Sequence, residues 1–419
     1  MNAFLALPLG VRVAIVFALG LILGAAVNWA IYTLAWFARP VSPWSQPHAD
    51  APRRTWHDRL PLWGWIGLSR EASVHGKGFW FRPLVMELAL AVGLAALYLW
   101  EVKGGLIPPL RGLVPPRALA LHCQFAAHAV LIALMTAATF IDFDEQTIPD
   151  SITIPGTLLG LAFAFLLPQS LLPIAVLLPG PVPTVGIGSL LVSSPDDFPP
   201  WLYEWQGLAL ACLGVVSWCV AMLPATYTLR RGWRKGVRYY FSSVARGWAW
   251  PRMLALAVLL CCAVGFAWWM GGTRWQSLVT SIAGLAFGGG LIWAVRIVGT
   301  VALKQEAMGF GDVTLMAMIG AFLGWQPALM IFFLSPAAAV VIAVSQWAMT
   351  GRRDIAFGPY LCLAALYVIV RWVDVWEFAS GIFAMGWVVV GLVAVCLLLM
   401  MGLLMLWRLI EQLLFGDRH

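Results

Sequence analysis

Met308-Gly309-Phe310-Gly311-Asp312 opens a long apolar stretch with a carboxylate set behind two glycines. A second acid, Asp142, holds a matching place directly after Phe140-Ile141. A charged side chain at membrane depth costs about 2.5–3.5 kcal/mol on insertion scales, so an acid kept at the edge of such a segment reads as functional. Two of them suggest an acid–base pair.

That reading depends on the rest of the chain being membrane-embedded, and composition supports it. Of 419 residues, 62% are hydrophobic and only 11% charged, with a mean hydropathy of +0.86. This is too little charge to solvate a globular surface. The apolar runs are continuous and about 20 residues long, the length of a spanning helix, which excludes an outer-membrane barrel. Apolar segments near 11–37, 84–100, 119–141, 152–179, 206–227, 251–271, 276–300, 313–326, 328–348, 357–373 and 379–408 predict an all-α polytopic membrane protein of about eleven transmembrane helices. The first segment is longer than a signal-peptide core and lacks a basic flank, so it reads as an anchor. All seven cysteines fall in apolar segments and read as small hydrophobes.

Charge asymmetry gives the orientation. Loop 38–83 carries Arg39, Arg53, Arg54, Arg59, Arg70, Lys77 and Arg82, and loop 228–250 carries Arg230, Arg231, Arg234, Lys235, Arg238 and Arg246. Both belong in the cytoplasm by the positive-inside rule. The stretch 180–205 has no lysine or arginine and belongs outside. Asp142, Asp312, Arg352, Arg353 and the C-terminal tail then fall at cytoplasmic ends. Loop 102–118 dissents, placing Lys103, Arg111 and Arg117 outside. The net charge of +7 is explained by this topology and by anionic lipid heads, without nucleic acid as a partner.

Around the first acid runs Ile141-Asp142-Phe143-Asp144-Glu145-Gln146-Thr147-Ile148-Pro149-Asp150-Ser151. Pro149 should end a helix, Asp150 or Ser151 should cap the next, and Asp144 and Glu145 read as solvated acids. Asp142 is the carboxylate closest to low dielectric. In the second constellation, from Glu306 to Trp325, Asp312 could simply cap a helix opened by glycines. That leaves unexplained why the following helix is short and rich in small residues. Gly309 and Gly311 would also let an extended peptide approach the carboxylate.

These residues together resemble the prepilin peptidases, the GxGD-type membrane aspartyl proteases. The resemblance rests on Met308 to Val313 with its Leu-Met-Ala and Ile-Gly-Ala-Phe-Leu-Gly-Trp continuation, and on Ile141-Asp142 followed by Ile148-Pro149-Asp150. Gly24 to Leu34 with Asn28, Arg82 to Glu87, and Phe357-Gly358-Pro359-Tyr360 line up with further family segments. It implies Asp142 and Asp312 as the catalytic pair, with Gly309, Gly311 and Glu306 positioning substrate. It also implies type IV prepilin or pseudopilin precursors as substrates, cleaved at the cytoplasmic face of the inner membrane after a short basic leader. Asp144, Glu145 and Glu306 would attract that leader.

Family members commonly carry two Cys-x-x-Cys pairs in the first cytoplasmic loop and a lysine two positions after the second aspartate. Here loop 38–83 has no cysteine and position 314 is threonine. No metal is therefore expected. S-adenosylmethionine would be a cofactor only if the family's N-methylating activity is kept, which the altered loop puts in doubt. The expected organisation is an N-terminal helix (1–37), the cytoplasmic loop (38–83), a first catalytic part (84–179), a periplasmic segment with an inserted helical hairpin (180–275), a second catalytic part (276–373) and an additional C-terminal helix with its tail (374–419). The rival readings are a proton-coupled carrier, which should hold its acids near the bilayer midplane, and an altered relative serving as an assembly subunit. His122 and His128, at i and i+6, face different ways and offer no competing site.

Overall fold

The computed structural model describes residues 2–39, 41–48, 50–109, 114, 116–178, 184–223, 250–304, 308–350 and 357–415. Glu306, Arg111, the Pro-rich turn 179–183, the basic residues Arg230 to Arg246, Arg352, Arg353 and the last residues of the tail lie outside the described residues. Each apolar segment predicted above contains a helix. The principal ones are α1 (Leu9–Leu34), α2 (Phe81–Val102), α3 (Ala118–Glu145), α4 (Asp150–Leu166), α5 (Trp205–Ala221), α6 (Trp250–Met270), α7 (Gly272–Leu303), α8 (Phe310–Leu323), α9 (Trp325–Thr350), α10 (Gly358–Val370), α11 (Trp372–Phe383) and α12 (Trp387–Phe415). Six of these, α1, α2, α3, α6, α7 and α12, are long and apolar enough to cross a membrane, and α4, α5, α8, α9 and α10 contribute shorter apolar helices. With Leu19, Ile22, Leu254 and Leu398 exposed on outward faces, this is a multi-pass membrane protein.

Two expectations are corrected. The segment 152–179 is not one helix: α4 stops at Leu166, and Pro173–Leu178 (β1) pairs antiparallel with Thr184–Ser189 (β2), Pro173 opposite Ser189 and Leu178 opposite Thr184. Pro168 and Pro173 cannot continue a helix, and the branched run between the turns suits a strand. The fold is therefore mostly helical with one hairpin, and that hairpin straddles the expected boundary at 179–180. Near the C-terminus, the single helix expected from residue 379 is divided into α11 and α12 at Gly386, whose φ is +57°.

Helix α8 is the centre of the bundle. Its 14 residues rise about 21 Å, short of the roughly 30 Å hydrocarbon core. Every residue from Asp312 to Leu323 is buried. A short span is tolerable because protein, not lipid, surrounds it: α7 lies along one side, and α4, α3, α10 and α9 along the others. Leu315, Met316, Met318, Ile319 and Phe322 fill the main core with Leu131, Met135 and Leu361. On the α7 side the two backbones touch at a pair of glycines. A Cβ on Gly320 would strike the Gly284 carbonyl, and one on Gly284 would strike the Gly320 carbonyl.

The inserted pair α5 and α6 packs on itself and on α7, with Val215, Trp218, Ala267, Trp275 and Ile282 in a second core. It lies outside the α3–α8–α10 cluster. At one end of the bundle the hairpin and loop 190–204 are held by indole and amide donors. Trp372 donates to the Pro173 carbonyl (2.6 Å), Trp325 to that of Val192 (2.7 Å), Trp275 to that of Leu202 (2.8 Å) and Gln326 to that of Leu191 (2.8 Å).

At the opposite end, loop 38–83 is built on ion pairs. Arg54 grips Glu71 with two parallel bonds of 2.7 and 2.8 Å and also donates to the carbonyls of Ser42 and Ser45. Arg70 pairs with Asp58 at 2.7 Å. Hydrogen bonds from Arg54 hold the Glu71 carboxyl below its ordinary range in spite of burial. Burial raises Asp58, but donors from Thr55 and Arg70 outweigh it and leave that carboxyl lowered too. Both acids therefore stabilise the loop above the ordinary carboxylate range, and the contribution is lost as pH falls through their lower folded values.

Two outcomes follow from this architecture. Gly320→Ala should destabilise the protein by about 1–3 kcal/mol, because helix backbone must move rather than a flexible side chain. Gly391→Ala, with nothing within 4 Å of the added carbon, should leave the melting temperature in detergent unchanged. Hydrogen–deuterium exchange in residues 54–71, corrected for the intrinsic rate, should rise as pH falls below about 4. Glu71→Gln should show the same loosening already at pH 7.

Candidate active site

Asp142 lies in the last turn of α3, which ends where Gln146 takes a left-handed conformation (φ +54°) and donates its N–H to the Asp142 carbonyl. The chain then turns through Ile148 and Pro149 into α4. Asp312 is the third residue of α8, whose N-cap is Gly309. The two carboxyls are 5% and 8% exposed as residues, at the same end of the bundle as loop 38–83. The turn after Asp142 brings them together: Ile148 packs against Gly311, the residue before Asp312, and against Gly358 beside Asp142.

The connection between the two acids can be followed atom by atom. A side chain on Gly311 would meet Ile148 Cβ at 2.9 Å. One on Gly358 would meet Ile148 Cδ1 at 2.8 Å and Asp142 Oδ2 at 2.7 Å. Ile148 thus fills the space that both glycines leave, locking the start of α8 and the start of α10 against the turn after Asp142. The Gly358 N–H faces the Asp142 carboxylate, while Asp142 Oδ2 is buried with no hydrogen-bond partner. Of the two motif glycines, Gly309 keeps open room beside Asp312, the Asp312 Oδ2 lying 3.8 Å from where its Cβ would be. Gly311 does not, because Ile148 occupies that space. Glu306 lies outside the described residues.

Several neighbours differ from their sequence reading. Asp144 and Glu145 are not free acids. Asp144 takes two bonds from Arg82 (2.9 and 3.0 Å), whose guanidinium also covers the Phe140 ring, and Glu145 accepts the backbone N–H groups of Trp36 and Phe37 at 2.8 and 3.0 Å. Asp150 is the first residue of α4 rather than its cap, and Pro149 holds the cap position without a side-chain bond. An acid in the first turn is still favoured by the helix dipole. Thr314 donates to the Gly311 carbonyl (3.0 Å), tying the motif to its own helix.

Two positioning groups and two residues of a cleft were not singled out from the sequence. Arg296 of α7 donates to the Met308 carbonyl (2.9 Å) and lies over the Phe310 ring, so it fixes the approach to Asp312. An arginine inside an otherwise apolar span was the available signal. Glu87, 1% exposed, accepts from the Leu62 N–H (2.7 Å), the Trp65 indole (2.8 Å) and Asn28 (3.2 Å), joining the loop to α1 and α2. Thr139 and Cys362 border an apolar cleft of about 230 Å³ between α3 and α10, lined also by Phe143, Pro359 and Leu366. At the far end of the bundle, His128 pairs with Glu101 (2.8 Å) and His122 with the Tyr98 hydroxyl (3.0 Å), each buried apart from this site.

Among the described residues, the arrangement holds two buried carboxyls at one end of the bundle with no cation bonded to either, next to an apolar cleft. The family described as the type IV leader peptidase family matches residues 129–224 and 251–344. The prepilin leader peptidase/N-methyltransferase of Pseudomonas aeruginosa is 32% identical over 101 residues, 23% of this chain and 34% of that protein. The protein of the same name from Escherichia coli strain K12 is 31% identical over 88 residues, 20% and 39% of the two chains. That of Pectobacterium carotovorum is 30% identical over 124 residues, 29% and 43%. The matches span less than half the length of these curated relatives, and no solved structure matches. The stretches that carry Asp142 and Asp312, residues 129–224 and 251–344, belong to the type IV leader peptidase family.

Proposed function

We propose that this protein is an aspartic endopeptidase of the inner membrane that removes the leader of type IV prepilin-like or pseudopilin precursors at the cytoplasmic face. The observation that carries the reading is the convergence of Asp142 and Asp312, from separate matched blocks, at the end of the bundle that bears basic loop 38–83. Two carboxyls held near one another ionise together only at a cost, so one retains a proton. One carboxylate takes a proton from the attacking water while its protonated partner donates to the scissile carbonyl. The free Oδ2 of Asp142 suits the first role or the second, and Gly358 orients that side chain.

The apolar cleft between α3 and α10 supports a substrate whose segment beside the cut is itself apolar. Attraction of a basic leader by Asp144 and Glu145 loses force, because both are already engaged. The terminal placement of the two acids also argues against a carrier. N-methylation, named in the relatives, is a second activity that loop 38–83 does not support by any feature described above.

Asp142→Asn and Asp312→Asn should each reduce cleavage of a prepilin-like peptide by about a hundredfold or more, whereas Asp150→Asn should keep turnover. Mass spectrometry of the products in detergent or bilayer checks this, and undiminished turnover by either of the first two variants would remove the assignment. A folded wild-type protein that cleaves no such precursor would favour the assembly-subunit reading.

Cleavage should also survive exhaustive chelation, since loop 38–83 has no cysteine and is organised by its own ion pairs. Loss of proteolysis with a zinc chelator, restored by added metal, would overturn that view of the loop.

A further inference from the structure

At the end of the bundle away from the aspartates lies a half-open cavity of about 890 Å³, between the first turns of α3 and α7, the end of α4 and strand β2. Its wall includes Arg117 and Arg274 and, among the described residues, no carboxylate. Among the described residues, neither guanidinium has an acidic partner. Arg274 reaches only the Met270 sulfur (3.7 Å) and the face of Phe165, and Arg117 has no side-chain bond. These are the charges that fit the positive-inside rule badly, for they sit opposite the basic loop.

Two further features give the cavity the same sign. Helices α3 and α7, of 28 and 32 residues, both begin at its wall, and neither first turn is capped by a side chain. Their unpaired N–H groups and positive dipole ends therefore add to the two arginines. Gln124, 3% exposed, lines the same space with its Oε1 unpartnered, ready to accept a hydrogen bond from an occupant. The rim is apolar: Leu119 and Leu166 are 38% and 64% exposed beside it.

We infer that this cavity binds the head of an anionic phospholipid of the phosphatidylglycerol type. Its phosphate would lie between Arg117 and Arg274, a head-group hydroxyl would donate to Gln124, and its acyl chains would run over Leu119 and Leu166. Guanidinium donors match phosphate oxygens in geometry and charge. An amphiphile satisfies the cationic interior and the apolar rim at once. Arg117 and Arg274 then serve to hold lipid, independently of the proposed peptidase reaction.

The test uses the full-length protein in a mild non-ionic detergent, stripped of lipid and titrated with phosphatidylglycerol, phosphatidylcholine or inorganic phosphate while melting temperature and lipid retention by native mass spectrometry are followed. Phosphatidylglycerol should raise the melting temperature and be retained, and phosphatidylcholine should do neither. Arg117→Gln with Arg274→Gln should lower phosphatidylglycerol affinity about tenfold or more. Equal binding of phosphatidylcholine, or undiminished phosphatidylglycerol binding by the folded double variant, would overturn the proposal. A full effect from inorganic phosphate alone would overturn the lipid as its source. Should the double variant fail to fold, the comparison of the two lipids on the wild-type protein decides.

Discussion

The aspartate end of this protein depends on one packing contact, Ile148 seated where Gly311 and Gly358 have no side chain. Ile148 belongs to the turn that follows Asp142, Gly311 immediately precedes Asp312, and the Gly358 N–H faces Asp142. A single apolar side chain thus ties three segments, far apart in sequence, to one point. Dense packing transmits small changes in shape, so a methyl group on either glycine would displace the acids relative to each other. Arg296 and Thr314 hold the other side of the motif, through the carbonyls of Met308 and Gly311. The proposed catalytic pair is therefore set mainly by backbone contacts, and among the described residues neither carboxyl has a side-chain hydrogen-bond partner.

The same economy explains α8. A helix too short for the bilayer is unsuitable against lipid but acceptable when every face is covered by protein. The small residues needed for that covering are Gly284, Gly288 and Gly320, which bring the α7 and α8 backbones together. A long side chain at Asp312 or just after it would then have little space, and Thr314, 1% exposed, fits that limit.

The aspartates were legible in the sequence because an acid at the edge of an apolar run is costly and therefore conspicuous. Helix positions were legible for the same reason of apolar length. The hairpin was not. Over six residues, Pro173 to Leu178 is as apolar as a buried helix, and only its leading proline argued otherwise. The ion pairs of loop 38–83 were also hidden, since Arg54 and Glu71 are separated by 17 positions and nothing local marks them as partners. Asp144 and Glu145 are solvent-facing as read, but their partners were not foreseen, since Arg82 and the backbone of Trp36 and Phe37 come from distant parts of the sequence. Sequence gives the cost of a charge more readily than the identity of the group that compensates it.

The two ends of the bundle are consequently built by different means. Away from the acids, indole and amide donors from α7, α9 and α11 fasten a hairpin and a loop through their carbonyls, each bond buried or nearly so. At the acid end, charged groups do the fastening, and among the described residues the strong pairs lie in loop 38–83 or join Arg82 to Asp144, not to Asp142 or Asp312. Arg82, paired with Asp144 two residues after Asp142, keeps α2 attached to α3 without bonding to Asp142 itself. A guanidinium beside Asp142 would hold it ionised and remove the proton that a two-carboxylate mechanism needs. The separation of the fastening charges from the proposed catalytic pair would let one helix end serve both purposes.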